Sequence, residues 1–164
     1  MSLLTRGTFW LGLYFDLIVL PLLIGMLWPG EAAGRPFWTQ FGAGLGYVAL
    51  GVLVLEFALI SKIHAVCGVF GQDALLHFHR QMGMVAAGLV ITHAYLMMRG
   101  GYPVEWLWPF SEEVPWAMRW GVAATLALAL LILLSVFRRR IRLPYEWWQL
   151  SHGALAELLV VTAL

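Results

Sequence analysis

Five apolar runs of spanning length follow one another along the chain, separated by stretches that carry most of its Gly, Pro and charge. They are Thr8 to Trp28, Phe37 to Ile60, roughly Ala74 to Met98, Trp116 to Phe137, and Tyr145 to Leu164. About 20 apolar residues make a helix long enough to cross the hydrocarbon core of a bilayer, so the pattern predicts an all-α, polytopic transmembrane bundle. The ends of the runs carry interfacial chemistry. Trp10, Trp28, Trp38, Trp116, Trp120, Trp147 and Trp148 sit where an indole can bury its ring and keep its N–H among the headgroups. Pro29 to Pro36 and Gly100 to Pro115 read as loops. Asp73 is expected as the N-cap of the third span and Pro144 at the first position of the fifth. Gly42-Ala43-Gly44-Leu45-Gly46, with Gly51 beyond, lies inside a span and follows no strand. It predicts close helix packing through small residues and not a phosphate-binding loop.

Composition agrees and narrows the field. A 164-residue chain that is 62% hydrophobic and 12% charged is far more apolar than a soluble domain, at about 45–50% and 25%, and its five spans leave no room for a soluble catalytic domain. A net charge of +1 cannot neutralise a phosphate backbone, so no nucleic-acid partner is expected, and membrane lipid is. Cys67 is the single cysteine, which excludes intrachain disulfides and thiolate-rich metal clusters. Lys and Arg are retained on the cytoplasmic side of spans. Arg138, Arg139, Arg140 and Arg142 therefore place the fourth connection inside, with Lys62, Arg80 and Arg6 on the same side and the N-terminus cytoplasmic. The plasma (inner) membrane is the expected location. The first run, at about twenty apolar residues, exceeds the ~7–15 of a signal-peptide core and is expected to be a retained helix.

The five histidines, at 64, 77, 79, 93 and 152, are the informative residues. An imidazole in hydrocarbon is costly unless satisfied, so an intramembrane His is a candidate site. His79 and His93 are fourteen residues apart, about 40° short of whole turns and roughly 21 Å along a helix. They share one face at two depths, the spacing of axial ligands for two stacked macrocycles. His152 lies eight residues after Pro144 and His79 six after Asp73, so two parallel helices starting level bring these imidazoles to within about 3 Å in depth. They are the pair expected for an inner haem. The partner of His93 is then expected at position 166, beyond Leu164, so the chain is expected to be truncated inside its motif. The plainer reading of any one such His is a hydrogen bond to a Ser, Thr or carbonyl of a neighbouring helix. His64 and His77 read as loop or interfacial residues, and Met82, Met84, Met97 and Met98 as apolar packing.

At these residues the chain resembles the ferric reductase and NADPH oxidase superfamily of transmembrane haem proteins. The resemblance rests on Gly71-Gln72-Asp73, on His79-Arg80-Gln81-Met82-Gly83 leading to Thr92-His93, and on Arg142-Leu143-Pro144-Tyr145-Glu146-Trp147-Trp148-Gln149-Leu150-Ser151-His152. It implies that His79 and His152 bind an inner b haem and that His93 supplies one ligand of an outer one. It implies a six-helix domain, of which residues 1–164 hold five helices, working with a cytoplasmic FAD- and NAD(P)H-binding module that this chain lacks. Arg80, beside His79, is placed to neutralise a haem propionate or to anchor the helix at the interface, and Arg99 has the same two readings at the other end.

The expected activity is transmembrane electron transfer, from a reduced flavin inside to O2 or ferric iron outside. Bis-imidazole ligation suits it because both axial positions stay filled. The alternative is a haem-binding anchor or docking subunit whose redox chemistry lies on another chain, as in the haem subunit of a methionine sulfoxide reductase system. A third reading is a haem-free transporter using the intramembrane acids Asp16, Glu56 and Glu157, each of which is expected simply to pack against a polar group of another helix.

Overall fold

The computed structural model of the chain describes residues 3–27, 34–60 and 63–163. Trp28, most of the Pro29–Pro36 connection, Lys62 and Leu164 lie outside these. The described residues form α1 (Leu3–Leu27), α2 (Phe37–Ile60), α3 (His64–Phe70), α4 (Gln72–Arg99), a 3₁₀ turn at Val104–Leu107, α5 (Trp116–Phe137) and α6 (Tyr145–Ala163). Among them α1, α2, α4 and α5 are long and apolar enough to cross a membrane. The fifth expected span also forms a helix, α6, of 19 residues and so roughly 28 Å long. Glu146, Gln149, Ser151, His152 and Glu157 leave it less apolar than the other four.

Three local expectations shift. The stretch between the second and third spans, read as loop, coils in part into α3 before Gly71 turns the chain at φ +78°, a conformation that is cheap only for glycine. Gly71 itself, not Asp73, is the N-cap of α4. Asp73 lies within the first turn, where its charge still complements the helix dipole. Pro144 precedes α6, and its carbonyl accepts the Trp148 N–H at 3.0 Å; it closes the first turn from outside.

The chain divides into two compact units, Met1–Gly101 and Tyr102–Leu164. In the first, α2 runs antiparallel to both α1 and α4, as the facing pairs show: Gly25 with Tyr47, Ile18 with Gly51 and Tyr14 with Glu56 on one side, Gly42 with Leu96 and Glu56 with His79 on the other. Tyr14, Ile18, Val52 and Ala86 form the core, with Val48, Phe78 and Met82 packed against it. The glycines of α2 act as small packing residues. A methyl group on Gly51 would overlap the Ile18 carbonyl of α1, and one on Gly46 would come 2.8 Å from His93 Nδ1. Backbone-to-backbone approach of this kind is how helices associate where lipid removes the hydrophobic drive. Thr39 Oγ1 donates to the Gly100 carbonyl at 3.1 Å, tying the end of α4 to the start of α2.

In the second unit α5 and α6 form an antiparallel hairpin in which Ala124, Ala127, Leu128 and Leu159 are buried. The loop before α5 is held by Arg119, whose guanidinium donates to the Ser111 carbonyl at 2.8 Å and the Val114 carbonyl at 3.1 Å. At the turn into α6, the Arg138 guanidinium lies 5.0 Å from the ring centres of both Tyr145 and Trp148, a doubled cation–π contact. Arg142 takes the left-handed conformation, φ +52°. Both units turn large apolar side chains outward, Phe15, Leu20 and Ile91 in one and Leu126, Leu133 and Val161 in the other. Such surface aggregates in water and is at home in lipid.

Candidate functional site

His93, on α4, places Nδ1 2.7 Å from the Gly42 carbonyl of α2. That carbonyl is mid-helix, where it also faces the N–H of Gly46 one turn on. The missing Cβ at Gly46 is what lets the ring reach it. A carbonyl only accepts, so Nδ1 carries the proton and Nε2 the lone pair.

His79, fourteen residues earlier on α4, meets α2 again. Its Nδ1 contacts Oε2 of Glu56, and Glu56 lies fourteen residues beyond Gly42. The equal spacing on two antiparallel helices gives each histidine its own partner on α2. Glu56 is 6% exposed, and its other oxygen accepts the Tyr14 O–H of α1 at 3.2 Å. The Tyr14 ring packs edge-on against Phe78, beside His79. Three helices thus fix one carboxyl group against one imidazole.

His152 is in the second unit, and its neighbours come from α5 and α6. Its Nδ1 lies 3.1 Å from Ser135 Oγ. Ser135 sends its own proton to the Leu131 carbonyl at 2.8 Å and receives the Trp148 indole N–H at 3.4 Å. With that hydroxyl proton committed, the oxygen accepts from His152, and again Nδ1 is the donor. The Trp148 ring stands 5.1 Å from the imidazole. Trp148, expected to point its N–H at the headgroups, spends it instead on the group that orients His152.

The remaining candidates differ. His77 is engaged through Nε2, by Gln81 of the same helix at 3.1 Å, and His64 is exposed at the start of α3. Arg80 and Arg99 are exposed. Met82 packs on the core and Met97 against Gly42, whereas Met84 faces outward. Of the three intramembrane acids, Glu56 meets polar groups of other helices, while Asp16 and Glu157 lie on exposed faces. Among the described residues no three His, Cys, Asp or Glu side chains gather into a metal-holding group. The arrangement offers single imidazole donors, each oriented by a neighbour.

The family model for the ferric reductase like transmembrane component matches residues 45–163. The chain belongs to this family. Comparison with curated proteins and with solved structures finds no match. In this ferric reductase-like chain the matched segment takes in α4, α5, α6 and most of α2. It therefore contains His79, His93 and His152 together with Glu56 and Ser135, while Gly42 and Tyr14 lie before it. Sequence reasoning singled out the histidines, and Glu56 as an acid expected to pack against a polar group of another helix, as it does, but it paired no histidine with the group that orients it. The signal available for Glu56 was its fourteen-residue distance from Gly42, which matches the histidine spacing.

Proposed function

We propose that this chain is the membrane-spanning, haem-holding part of an NAD(P)H-dependent oxidoreductase, moving electrons from a cytoplasmic flavin donor to an acceptor across the bilayer, O2 or ferric iron. Membership of the ferric reductase-like family supports electron transfer across a membrane. The observation that carries the finer reading is the shared state of three histidines. Each brings its Nδ1 to an oxygen inside its own unit: His93 and His152 hydrogen-bond the Gly42 carbonyl and the Ser135 hydroxyl, and His79 lies in contact with the Glu56 carboxyl group. A ligating histidine is held in this way, because the bond at one nitrogen fixes tautomer and ring orientation and raises the basicity of the other.

The donors fit a b haem, which when bound would supply a one-electron centre. On this reading His79, His93 and His152 each supply a haem-ligating imidazole. The chain's own work is to hold and orient three imidazoles between apolar helix faces and to offer Arg80 to a propionate. FAD and NAD(P)H belong to a cytoplasmic dehydrogenase domain or subunit.

An optical spectrum tests it. Purified protein should show the reducible Soret and α bands of low-spin b haem, and His152→Ala should lower the haem content. A protein without those bands sinks the reading. Membranes that carry haem but reduce no external acceptor when supplied with a flavin-linked donor identify a haem-holding anchor instead of a conduit.

A further inference from the structure

The two histidines of α4 present the same ring nitrogen to the same neighbouring helix, yet they meet acceptors of different charge. His93 meets a peptide carbonyl and His79 a carboxyl group. We propose that Glu56, which also accepts the Tyr14 O–H, is a positioning residue for His79 that sets the reduction potential of a haem ligated there below that of one ligated at His93. This rests on the haem reading above.

The chemistry runs through the imidazole. A carboxylate accepting Nδ1–H draws that proton harder than an amide oxygen does, so the ring gains imidazolate character and Nε2 becomes a stronger donor. A stronger, more negative axial ligand favours ferric over ferrous iron and lowers the potential. Burial strengthens the effect, since Glu56 is nearly closed to solvent and a charge in a low-dielectric site is poorly screened. Tyr14 moderates the effect. Its O–H occupies Oε1 and leaves Oε2 to His79, while drawing some charge away from it. An acid inside a membrane span is costly, and packing alone does not need one, because an apolar side chain would fill the same space. At the level of Gly42 the chain does without an acid. A haem held at His79 would then be the more reducing of the two, and one held at His93 the better electron acceptor.

Potentiometric titration of the haem-loaded full chain, followed at the α band, tests the assignment. The component lost in His79→Ala marks the site in question. Glu56→Gln keeps the size and an acceptor oxygen but removes the charge, and should raise that midpoint by about 59 mV, a tenfold change in a one-electron equilibrium constant, with haem content and low-spin spectrum unchanged. Tyr14→Phe frees the carboxylate to bind His79 harder and should lower the midpoint by a smaller step. Opposite signs are the signature, because loosened packing moves both variants the same way. A Glu56→Gln midpoint equal to wild type, or shifts of one sign in both variants, overturns the proposal. Should Glu56→Gln fail to accumulate, an unmoved midpoint in Tyr14→Phe overturns it alone. Haem content of the wild type is read first: a protein without haem removes the parent reading, whereas a haem-replete protein with unmoved midpoints removes only the role of Glu56.

Discussion

Two of the places where α4 meets α2, at His93 and at His79, do the same job with different materials. At His93 the acceptor is backbone, reached because Gly46 has no side chain. At His79 the acceptor is the Glu56 side chain, steadied from a third helix by Tyr14. A backbone carbonyl cannot be deleted by substitution, but access to it needs helices in near contact and so depends on a neighbouring residue staying small. A side-chain acceptor spans a wider gap and can carry charge, at the cost of burying an acid that needs partners of its own. One end of the interface is therefore vulnerable to added volume, the other to lost polarity.

Added volume gives the largest effect. Gly46→Leu should drive the His93 ring off the Gly42 carbonyl, combining overpacking, about 1–3 kcal/mol, with a buried donor left unpaired, about 1–3 kcal/mol. A loss of roughly 3 kcal/mol in unfolding from bicelles is expected, with His93 Nδ1–H no longer detected by nitrogen NMR. Gly46→Leu that unfolds like wild type would show that the approach of α2 to α4 does not depend on this glycine.

Lost polarity comes next. Glu56→Ala removes the carboxyl group that His79 Nδ1 contacts and that accepts the Tyr14 O–H, and interhelical hydrogen bonds in bilayers are worth ~0.6 kcal/mol on average and up to ~1.7. A loss of about 2 kcal/mol is expected. A double-mutant cycle with Tyr14→Phe should show coupling of about 1 kcal/mol, because the second change removes a group whose partner is already gone. Strict additivity would mean that Tyr14 and Glu56 act independently, and the side-chain end of the comparison would lose its third helix.

The sequence made the helices legible because length and apolarity decide them: a run such as Trp116–Phe137 has one stable form in lipid. The family membership expected from the His79 and His152 motifs is shown by the match over residues 45–163. The short α3 was not legible, since its seven residues carry no strong period and its end is set by one positive φ at Gly71. The partners of the histidines were hidden for a different reason. They depend on the register between helices, which apolar runs do not specify: Ser135 reads as a stray polar residue near the end of a span, and Trp148 as one more interfacial indole, until α5 and α6 are paired. Glu56 was visible as an intramembrane acid, but so were Asp16 and Glu157. Only the antiparallel pairing of α2 with α4 separates it from them.

The second unit offers a third material and the smallest expected effect. Ser135 is neutral like the Gly42 carbonyl but a side chain like Glu56, and it serves His152 and Trp148 at once. Ser135→Ala adds no volume and strands no charge. It removes one acceptor from two donors, and the half-exposed setting of both rings lets water or headgroups compensate in part. The expected loss is therefore about 1 kcal/mol, below that of Glu56→Ala. Its clearer mark should be tautomeric: without the Ser135 oxygen the bond that holds the His152 proton on Nδ1 is lost, and nitrogen NMR should find both neutral tautomers populated while His93 keeps one. If His152 stays a single Nδ1–H tautomer in Ser135→Ala, the hydroxyl is not what orients it. The Trp148 ring, 5.1 Å away, would then be the group that holds the imidazole, and the contrast between a carbonyl, a carboxylate and a hydroxyl would shrink to the two acceptors on α2.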